Sequence, residues 1–598
     1  MKTIYAYLKV LCVMAMLGIA FTTYAQEDVK NEDLNREMTL EREYDPSVQD
    51  ANKVNTLPEV EEPEVRKVPI DYSDYTIPAE PEKEISILPS GDIMTEMYYN
   101  PRRGYLNFGI GTYLNINGDF GYHILSTEQD KLNFWFSHRS TSGDLEYLQL
   151  EGEEVKAKTN DNLGGLDFKH VSDQTVFHAG LKYGYSAFNY YGLSINANSN
   201  LDTWEMLELA DRETNQVNQT IAATIGFQSR QDALVGYQVD LGYTNFSRKY
   251  GIGEPADGLT EHTFLANLDL NTLFNGSMRF GLGAQVEYLS YSLPDETLSA
   301  GGTYYTYDFE DHVEVTLSPY YKAEGETWRV LLGANVMLLT GDDSEFMASP
   351  NVAVDVEVAD RTSFYLNAGG KLYSNSMYQT SLVNRYANPS VQITPSRNWL
   401  DATIGVKSGV AAGFWFDIFG GYKMTSSDVL FVPSSDFEEG HFGNFSEAVE
   451  DIDTKQFFVG ANLKYSYLDY FDISLKGVYN QWTATYGDEW IGSANEDLEH
   501  AWGKPEMEIN ANLTIRPVEH LSILLDYYLA TGRYTQLNGS EEVEMDNINE
   551  LNLMGMYTFN DTFGVYVKLN NVLCQEYELY YGYPMQNFSA MIGLNINF

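Results

Sequence analysis

The sequence Asn587–Phe598, NFSAMIGLNINF, alternates between two kinds of side chain along its whole length. The apolar set is Phe588, Ala590, Ile592, Leu594, Ile596 and Phe598. The intervening positions hold asparagine, serine, methionine and glycine. Successive residues of a strand point to opposite faces of a sheet, so this period of two predicts an amphipathic β-strand that ends on an aromatic residue.

A strand of this kind, ending on Phe598, resembles the last strand of bacterial outer-membrane β-barrels. The opposite end of the chain agrees with export across the inner membrane. Met1–Ala25 combines basic Lys2 and Lys9 with an apolar run, Leu11–Phe21, and small residues before Gln26. This pattern predicts a secretory signal peptide that is too short to span a membrane as a helix.

Composition narrows the class of protein further. Among 598 residues there are 48 glycines and 45 tyrosines, and aromatic residues make up 14%, which favours strands and turns over helix bundles. A net charge of −49 argues against nucleic acid as a partner, because such a surface repels phosphates. Removal of the signal peptide leaves a single cysteine, Cys574, so no intrachain disulfide is expected.

Alternation and turn residues predict twenty-two strands after the signal peptide and an N-terminal tail. They are centred in 104–113, 117–125, 130–141, 161–171, 174–188, 216–228, 233–248, 260–272, 277–292, 306–321, 326–339, 348–359, 362–374, 398–409, 412–425, 454–467, 470–483, 504–515, 519–532, 546–558, 562–572 and 587–598. Short turns and long polar loops tend to alternate between them. This rhythm is typical of outer-membrane barrels, which have short periplasmic turns and longer outer loops.

Strand faces support the same class. Phe563, Val565, Val567 and Leu569 oppose Gly564, Tyr566, Lys568 and Asn570. A polar face that carries lysine suits a wet lumen, although it also suits the exterior of a soluble β-sandwich. The loop rhythm, the signal peptide and Phe598 favour the membrane barrel. We therefore predict an all-β transmembrane antiparallel β-barrel of about 22 strands with an extended N-terminal periplasmic tail.

The chain divides into three predicted regions. Residues 1–25 form the signal peptide, residues 26–103 an acidic proline-rich periplasmic tail, and residues 104–598 the outer-membrane barrel. Seven prolines between Pro46 and Pro89 fix φ and remove backbone donors, so the tail cannot supply many central strands or long helices.

The closing region resembles that of TonB-dependent receptors. In that family an Asn-Leu segment and a downstream Tyr precede the last loop and strand, and Asn571, Leu573 and Tyr577 fit this pattern ahead of Phe598, as a C-terminal barrel signature. Cys574 and Gln575 depart from the usual choices. The predicted strand number equals that of the family's barrel, and the style of the sequence resembles proteins of Bacteroidota.

The resemblance implies a folded plug of more than a hundred residues ahead of the barrel, and 26–103 is too short and too proline-rich for one. An apolar energy-coupling box is also implied. Glu84–Leu88 could mimic such a box, but we favour a docking segment or linker there. A barrel of this size without a plug would be on the order of 40 Å wide and would leak. We expect folded-in loops, the tail or a partner protein to obstruct it.

No catalytic, cofactor-binding or metal site is predicted, and the protein is not expected to be an enzyme. The nine histidines form no His-Glu-x-x-His pattern, and His178 with Asp173 or Ser172 matches ordinary turn chemistry. Acidic clusters such as Glu450–Asp453 lack the glycine and spacing of a calcium loop. Aromatic loop residues, among them Trp502, are interpreted as an interface girdle or as a surface that stacks on sugar or protein.

The predicted function is that of a transport or receptor barrel in the cell outer membrane. Its expected partners are outer-membrane lipid, the barrel assembly machinery, and a surface lipoprotein or the energy-coupling protein that the resemblance implies. The alternative is a non-transporting structural or scaffold subunit of an outer-membrane assembly. The ligand is not specified by the sequence.

Overall fold

A computed structural model of the chain describes residues 102–598, apart from residue 151 and the segments 194–214, 231–232, 252–257, 295–296, 299–303, 306–308, 342–343, 435–444, 487–496 and 538–540. The predicted signal peptide, nearly all of the predicted tail and the segment Glu84–Leu88 therefore lie outside the described residues. No helix in the described part of the chain is long and apolar enough to cross a membrane.

Twenty-two long antiparallel strands form a closed barrel, as the sequence predicts. In chain order, β1 to β22 are Gly104–Gly111, Ile116–Ser126, Asp130–Glu146, Glu154–Val171, Thr175–Asn189, Asn215–Ser229, Val235–Arg248, Thr260–Phe274, Met278–Ser292, His312–Glu324, Trp328–Thr340, Glu345–Ala359, Thr362–Tyr373, Ser396–Ala411, Phe414–Pro433, Ser446–Tyr467, Phe471–Tyr486, Met507–Val518, Leu521–Thr531, Ile548–Thr558, Phe563–Asn570 and Ser589–Asn597. A further two-residue strand, Asp497–Leu498, pairs with β17.

The ring closes between β1 and β22. Tyr105 lies opposite Asn597, and the pairing continues to Gly111 opposite Met591. At the end of this ladder, Gly104 and Phe598 exchange two backbone hydrogen bonds, with N–O distances of 2.8 and 2.9 Å. Closure pairs both edges of the sheet, so it removes the unpaired backbone groups that an open sheet presents.

The two faces of the barrel wall follow the predicted alternation. Ile110, Ile592 and Val567 lie opposite one another on three adjacent strands and are 49%, 62% and 48% exposed. The other face of the same strands brings Gly109 and Gly593 together beneath the Tyr566 ring, where a Cβ atom at either glycine would overlap the tyrosine. The apolar row is the outer surface, and the tyrosine row lines the lumen.

Short connections occupy one end of the barrel and long ones the other, and we call these the turn end and the loop end. At the turn end, Asn275 and Gly276 join β8 to β9 with φ angles of 53° and 77°, a left-handed conformation that asparagine and glycine tolerate. The first connection at the loop end is short, a 3-10 turn at Thr112–Leu114.

Strand number and order match the prediction, but some bounds differ. The strand predicted at 306–321 is His312–Glu324. Four strands run further toward the loop end than predicted. β3 ends at Glu146 and β15 at Pro433, whereas β4 begins at Glu154 and β16 at Ser446. These extensions stay hydrogen-bonded to their neighbouring strands beyond the apolar band. Apolar and polar residues need not alternate there, because the outer face no longer meets lipid.

The buried apolar clusters of the described residues lie at the loop end. One cluster includes Tyr147, Tyr191 and Tyr583, and another includes Phe246, Leu259 and Met377. Small elements build this end: the helix α1 at Met377–Val383, and the hairpins Thr297–Leu298 with Tyr304–Tyr305, Arg533–Leu537 with Glu541–Met545, and Glu578–Tyr580 with Tyr583–Pro584. Among the described residues, the buried apolar core is therefore a cap at the loop end.

Candidate functional site

The segment 374–395, which we call the crossing loop, connects β13 to β14 and carries α1. Arg385 in its middle makes a bidentate ion pair with Asp161 of β4, with N–O distances of 3.0 and 3.2 Å. In the closed ring β4 lies nine strands before β13, close to the opposite wall. A segment held at both positions must cross the opening of the lumen.

The crossing loop is anchored first at the start of α1. The fully buried Glu261 of β8 accepts hydrogen bonds from the backbone N–H groups of Met377 and Tyr378, at 2.6 and 3.4 Å. The Ser376 hydroxyl caps the same helix by accepting from the Gln379 N–H at 3.2 Å. Acceptors at a helix N-terminus satisfy its free N–H groups, so α1 is fixed to the inside of the β8 wall.

Aromatic packing holds the middle of the loop. Tyr386 stacks on Tyr583 with ring centroids 4.2 Å apart, and it meets Tyr191 and Phe188 edge-on at 5.3 and 5.9 Å. Burial raises the pKa of the Tyr386 hydroxyl. The Tyr580 hydroxyl adds a 2.7 Å hydrogen bond to the Val383 carbonyl. These contacts join the crossing loop to the loop between β21 and β22.

The far side of the crossing loop meets β16. Ala387 and Ser446 form an isolated parallel bridge, with backbone hydrogen bonds of 2.9 Å on either side. The Asn388 amide also donates to the Glu447 carboxylate at 3.0 and 3.1 Å. The loop therefore contacts β4, β8, β16 and the last loop, which lie on several sides of the ring.

Below the crossing loop, cationic side chains of the lumen wall lie over aromatic rings. Lys371 lies 4.3 Å from the Tyr373 ring centre, Lys407 4.2 Å from that of Tyr365, and Lys464 5.4 Å from that of Trp415. Such pairs stabilise a charge while leaving it accessible to water. The wall is thus suited to contact a hydrated solute.

The C-terminal signature residues take separate places. Asn571 is buried with φ of 47°, and its side chain hydrogen-bonds the backbone of Gln575 in both directions. The Tyr577 hydroxyl donates to Glu550 at 2.6 Å, whereas Leu573 is 41% exposed. Phe598 stacks on Tyr122 at the turn end, 6.1 Å between centroids. Asn571 and Tyr577 fix the last loop, and Phe598 lies at the seam.

Other candidates from the sequence have different partners from those expected. His178 contacts Asp240 at 3.0 Å rather than Asp173 or Ser172. The interpretation of Trp502 as a girdle or stacking residue is wrong, because this side chain is only 1% exposed and belongs to a cluster with Leu430 and Ile452. Glu450 accepts a hydrogen bond from Thr394 at 3.0 Å. A second loop tryptophan, Trp490, one of the nine histidines, His441, and two further acidic runs at 342–343 and 436–439 lie outside the described residues.

The structure also assembles a group that sequence spacing does not reveal. Carboxylate oxygens of Glu499 and Glu542 and an imidazole nitrogen of His500 lie within 4.8 Å of one another. Glu542 is remote from the other two in sequence, so no local motif records the juxtaposition.

No protein-family model matches the sequence, and no curated protein matches it. Solved structures do match the fold. A variant of the ferric enterobactin receptor PfeA from Pseudomonas aeruginosa, in complex with enterobactin, has a TM-score of 0.60 at 10% identity, over 83% of this chain and 81% of that one. The copper transporter OprC gives 0.58 at 12% identity, over 83% and 80%.

The ferric-catecholate import receptor Fiu from K12 E. coli gives a TM-score of 0.56 at 10% identity, over 83% of this chain and 82% of that one. These neighbours are TonB-dependent receptors and not enzymes, so the resemblance predicted from the closing strands is confirmed at the level of the fold. The chain has the 22-strand barrel fold of TonB-dependent outer-membrane receptors.

Proposed function

We propose that the chain is an outer-membrane receptor of the transport type, in which the crossing loop closes the lumen until a ligand or a surface partner releases it. The predicted signal peptide exports the chain, and the predicted tail, residues 26–103, meets a periplasmic partner such as the energy-coupling protein. The neighbours differ in cargo, since PfeA is a ferric enterobactin receptor and OprC is a copper transporter. Their likeness therefore supports the class of function and no particular ligand.

The observation that carries this proposal is the position and attachment of the crossing loop. A barrel of 22 strands has a backbone diameter on the order of 40 Å, which leaks unless something blocks it. The loop reaches β4 from β13, and its link there is a partly exposed ion pair, Arg385–Asp161, with 32% exposure on each side. Such pairs stabilise by only about 1 kcal/mol or less, so this attachment is suited to release.

Single-channel recording in planar bilayers tests the closure. The wild-type chain is expected to show little steady conductance, and a variant that replaces 377–393 by a short Gly-Ser linker is expected to form large, long-lived channels. A matched control replaces 534–544, a hairpin at the same end of the barrel that takes no part in the crossing-loop contacts described above. Closed behaviour of the first variant, or open behaviour of the wild type, would contradict the proposed role of the loop.

Isolation of the native complex separates a receptor from a scaffold. Recovery of a surface lipoprotein together with the energy-coupling protein supports uptake. If deletion of residues 26–101 then abolishes recovery of the energy-coupling protein, the tail is its binding segment. Recovery of envelope-assembly components without the lipoprotein or the energy-coupling protein would contradict a transport function and support the scaffold role. The barrel assembly machinery and outer-membrane lipid are proposed partners in both cases.

A further inference from the structure

We infer that Glu499, His500 and Glu542 form a binding site for a divalent transition-metal ion of the Zn²⁺ class at the loop end of the barrel. The three donor atoms lie within 4.8 Å of one another, and they join the segment around Asp497–Leu498 to the hairpin Arg533–Leu537 with Glu541–Met545. One imidazole nitrogen and two carboxylate oxygens suit zinc and its first-row neighbours, whereas calcium prefers oxygen ligands alone.

The central pair is already close to coordinating geometry. His500 Nδ1 lies 2.9 Å from Glu542 Oε2, and the two side chains are 24% and 19% exposed. Zinc binds nitrogen and oxygen donors at about 2.0 to 2.2 Å in a roughly tetrahedral array, which needs the two atoms to separate by only about 0.5 Å. The ion takes the place of the proton between them, and that proton passes to solvent.

Neighbouring side chains orient both donors from behind. The Trp502 indole N–H donates to Glu542 Oε1 at 3.0 Å, which leaves Oε2 directed at His500. Trp502 is itself 1% exposed, so this carboxylate is held by the core of the loop-end cap. The Tyr534 ring stacks on the imidazole with centroids 3.5 Å apart and planes 14° apart. Fixed ligand orientation is the usual contribution of outer-shell groups to metal affinity.

The surroundings favour a cation. The Tyr534 ring that stacks on His500 has the carboxylates of Glu544, Glu506, Glu499 and Glu542 near its hydroxyl, so negative charge is concentrated around the site. The nearby Lys504 is directed to Asp428, 3.6 Å away. Glu499 is exposed and free to move toward an ion, and three protein ligands leave a coordination position for water or for a donor atom of a ligand.

Isothermal titration of the full chain in detergent, prepared without a polyhistidine tag, tests the site with Zn²⁺ as the probe. One ion per chain is expected with micromolar or tighter affinity, and Co²⁺ is expected to give the visible absorption of a four- or five-coordinate ion. Glu499→Gln, at an exposed position, is expected to weaken Zn²⁺ binding about 10-fold or more. His500→Gln and Glu542→Gln are expected to abolish saturable binding.

His520→Gln is the matched control. His520 also lies beside a carboxylate, with its Nε2 3.8 Å from Glu519, but this pair is at the turn end and belongs to no three-ligand group. Its replacement is expected to leave Zn²⁺ binding unchanged. Heat-modifiable migration in gels verifies that each variant still forms a barrel. Absence of saturable Zn²⁺ binding by the wild type, equal loss in His520→Gln, or unchanged affinity in Glu499→Gln would overturn the site.

Discussion

At the turn end of the barrel, neighbouring strands are joined by a few residues, whereas at the loop end side chains from many strands pack into a cap. The turn end depends on local alternation: each strand needs only an apolar row toward lipid and a polar row toward water. The loop end depends on pairs such as Arg385 and Asp161, which are remote in sequence. A mutation should therefore act by different physics at the two ends.

The largest effect is expected where a charge enters the apolar row. Val567 is 48% exposed on the outer face of β21, so Val567→Arg places a guanidinium in lipid and should cost about 2 to 4 kcal/mol of folding free energy. Denaturant titration of folding into lipid vesicles measures this cost. Asn595→Arg, on the luminal row of β22, is the control and should be milder. Equal costs at both positions would show that the faces are wrongly assigned.

The loop end should respond to pH instead. Burial raises the pKa of Glu578 from 4.5 to about 7, while hydrogen bonds from Gly582 and Gln149 oppose this rise. Because the folded-state pKa is above the unfolded value, the stabilisation is fully present below about pH 4.5 and is lost as pH rises to about 7, on the order of 3 kcal/mol locally. Limited proteolysis of 578–584 across this window measures the change.

Glu578→Gln is the control for that pH dependence, since an amide keeps an acceptor for the Gly582 N–H and does not titrate. Protease sensitivity in the variant should be flat between pH 4.5 and 7. A wild-type hairpin that becomes more protected as pH rises would contradict the sign of the effect.

A smaller effect is expected at the turn after β21. Asn571 combines φ of 47° with side-chain hydrogen bonds to Gln575, so Asn571→Ala should destabilise the last loop by about 2 kcal/mol. Asn571→Gly restores the backbone freedom alone and should recover part of that loss. Hydrogen exchange over 571–588 measures both variants. Identical exchange in the two would mean that the hydrogen bonds, and not the conformation, carry the stabilisation.

The smallest effect is expected at the link across the lumen. Arg385→Ala removes a partly exposed ion pair and should loosen the crossing loop by about 1 kcal/mol. Brief channel openings in planar bilayers are the sensitive measurement, and Arg516→Ala is the control, because it breaks a similar exposed pair with Asp472 at the turn end. Openings of equal frequency in both variants would show that the Arg385–Asp161 ion pair does not contribute to closing the lumen.

Strand number, strand order and the faces around Val567 could be predicted from the sequence because each rests on neighbours within one strand or one turn. The loop-end limits of β15 and β16 could not be predicted in this way. Pro433 and Ser446 pair outside the apolar band, where the sequence does not alternate between apolar and polar residues. The burial of Trp502 cannot be predicted for a related reason: a loop tryptophan has no period, and residues of other strands, among them Leu430 and Ile452, bury it. The contact between Glu542 and His500 could not be predicted either, because the two residues are remote in sequence and meet only in the folded chain.

The mutual backbone hydrogen bonds of Gly104 and Phe598 have a kinetic consequence. The first barrel strand to be synthesised finds one of its two partners only in the last, so one edge of the sheet stays unpaired until the final strand is in place. Such an edge templates aggregation unless it is shielded. Pairing of this seam is therefore a late event in the formation of the barrel.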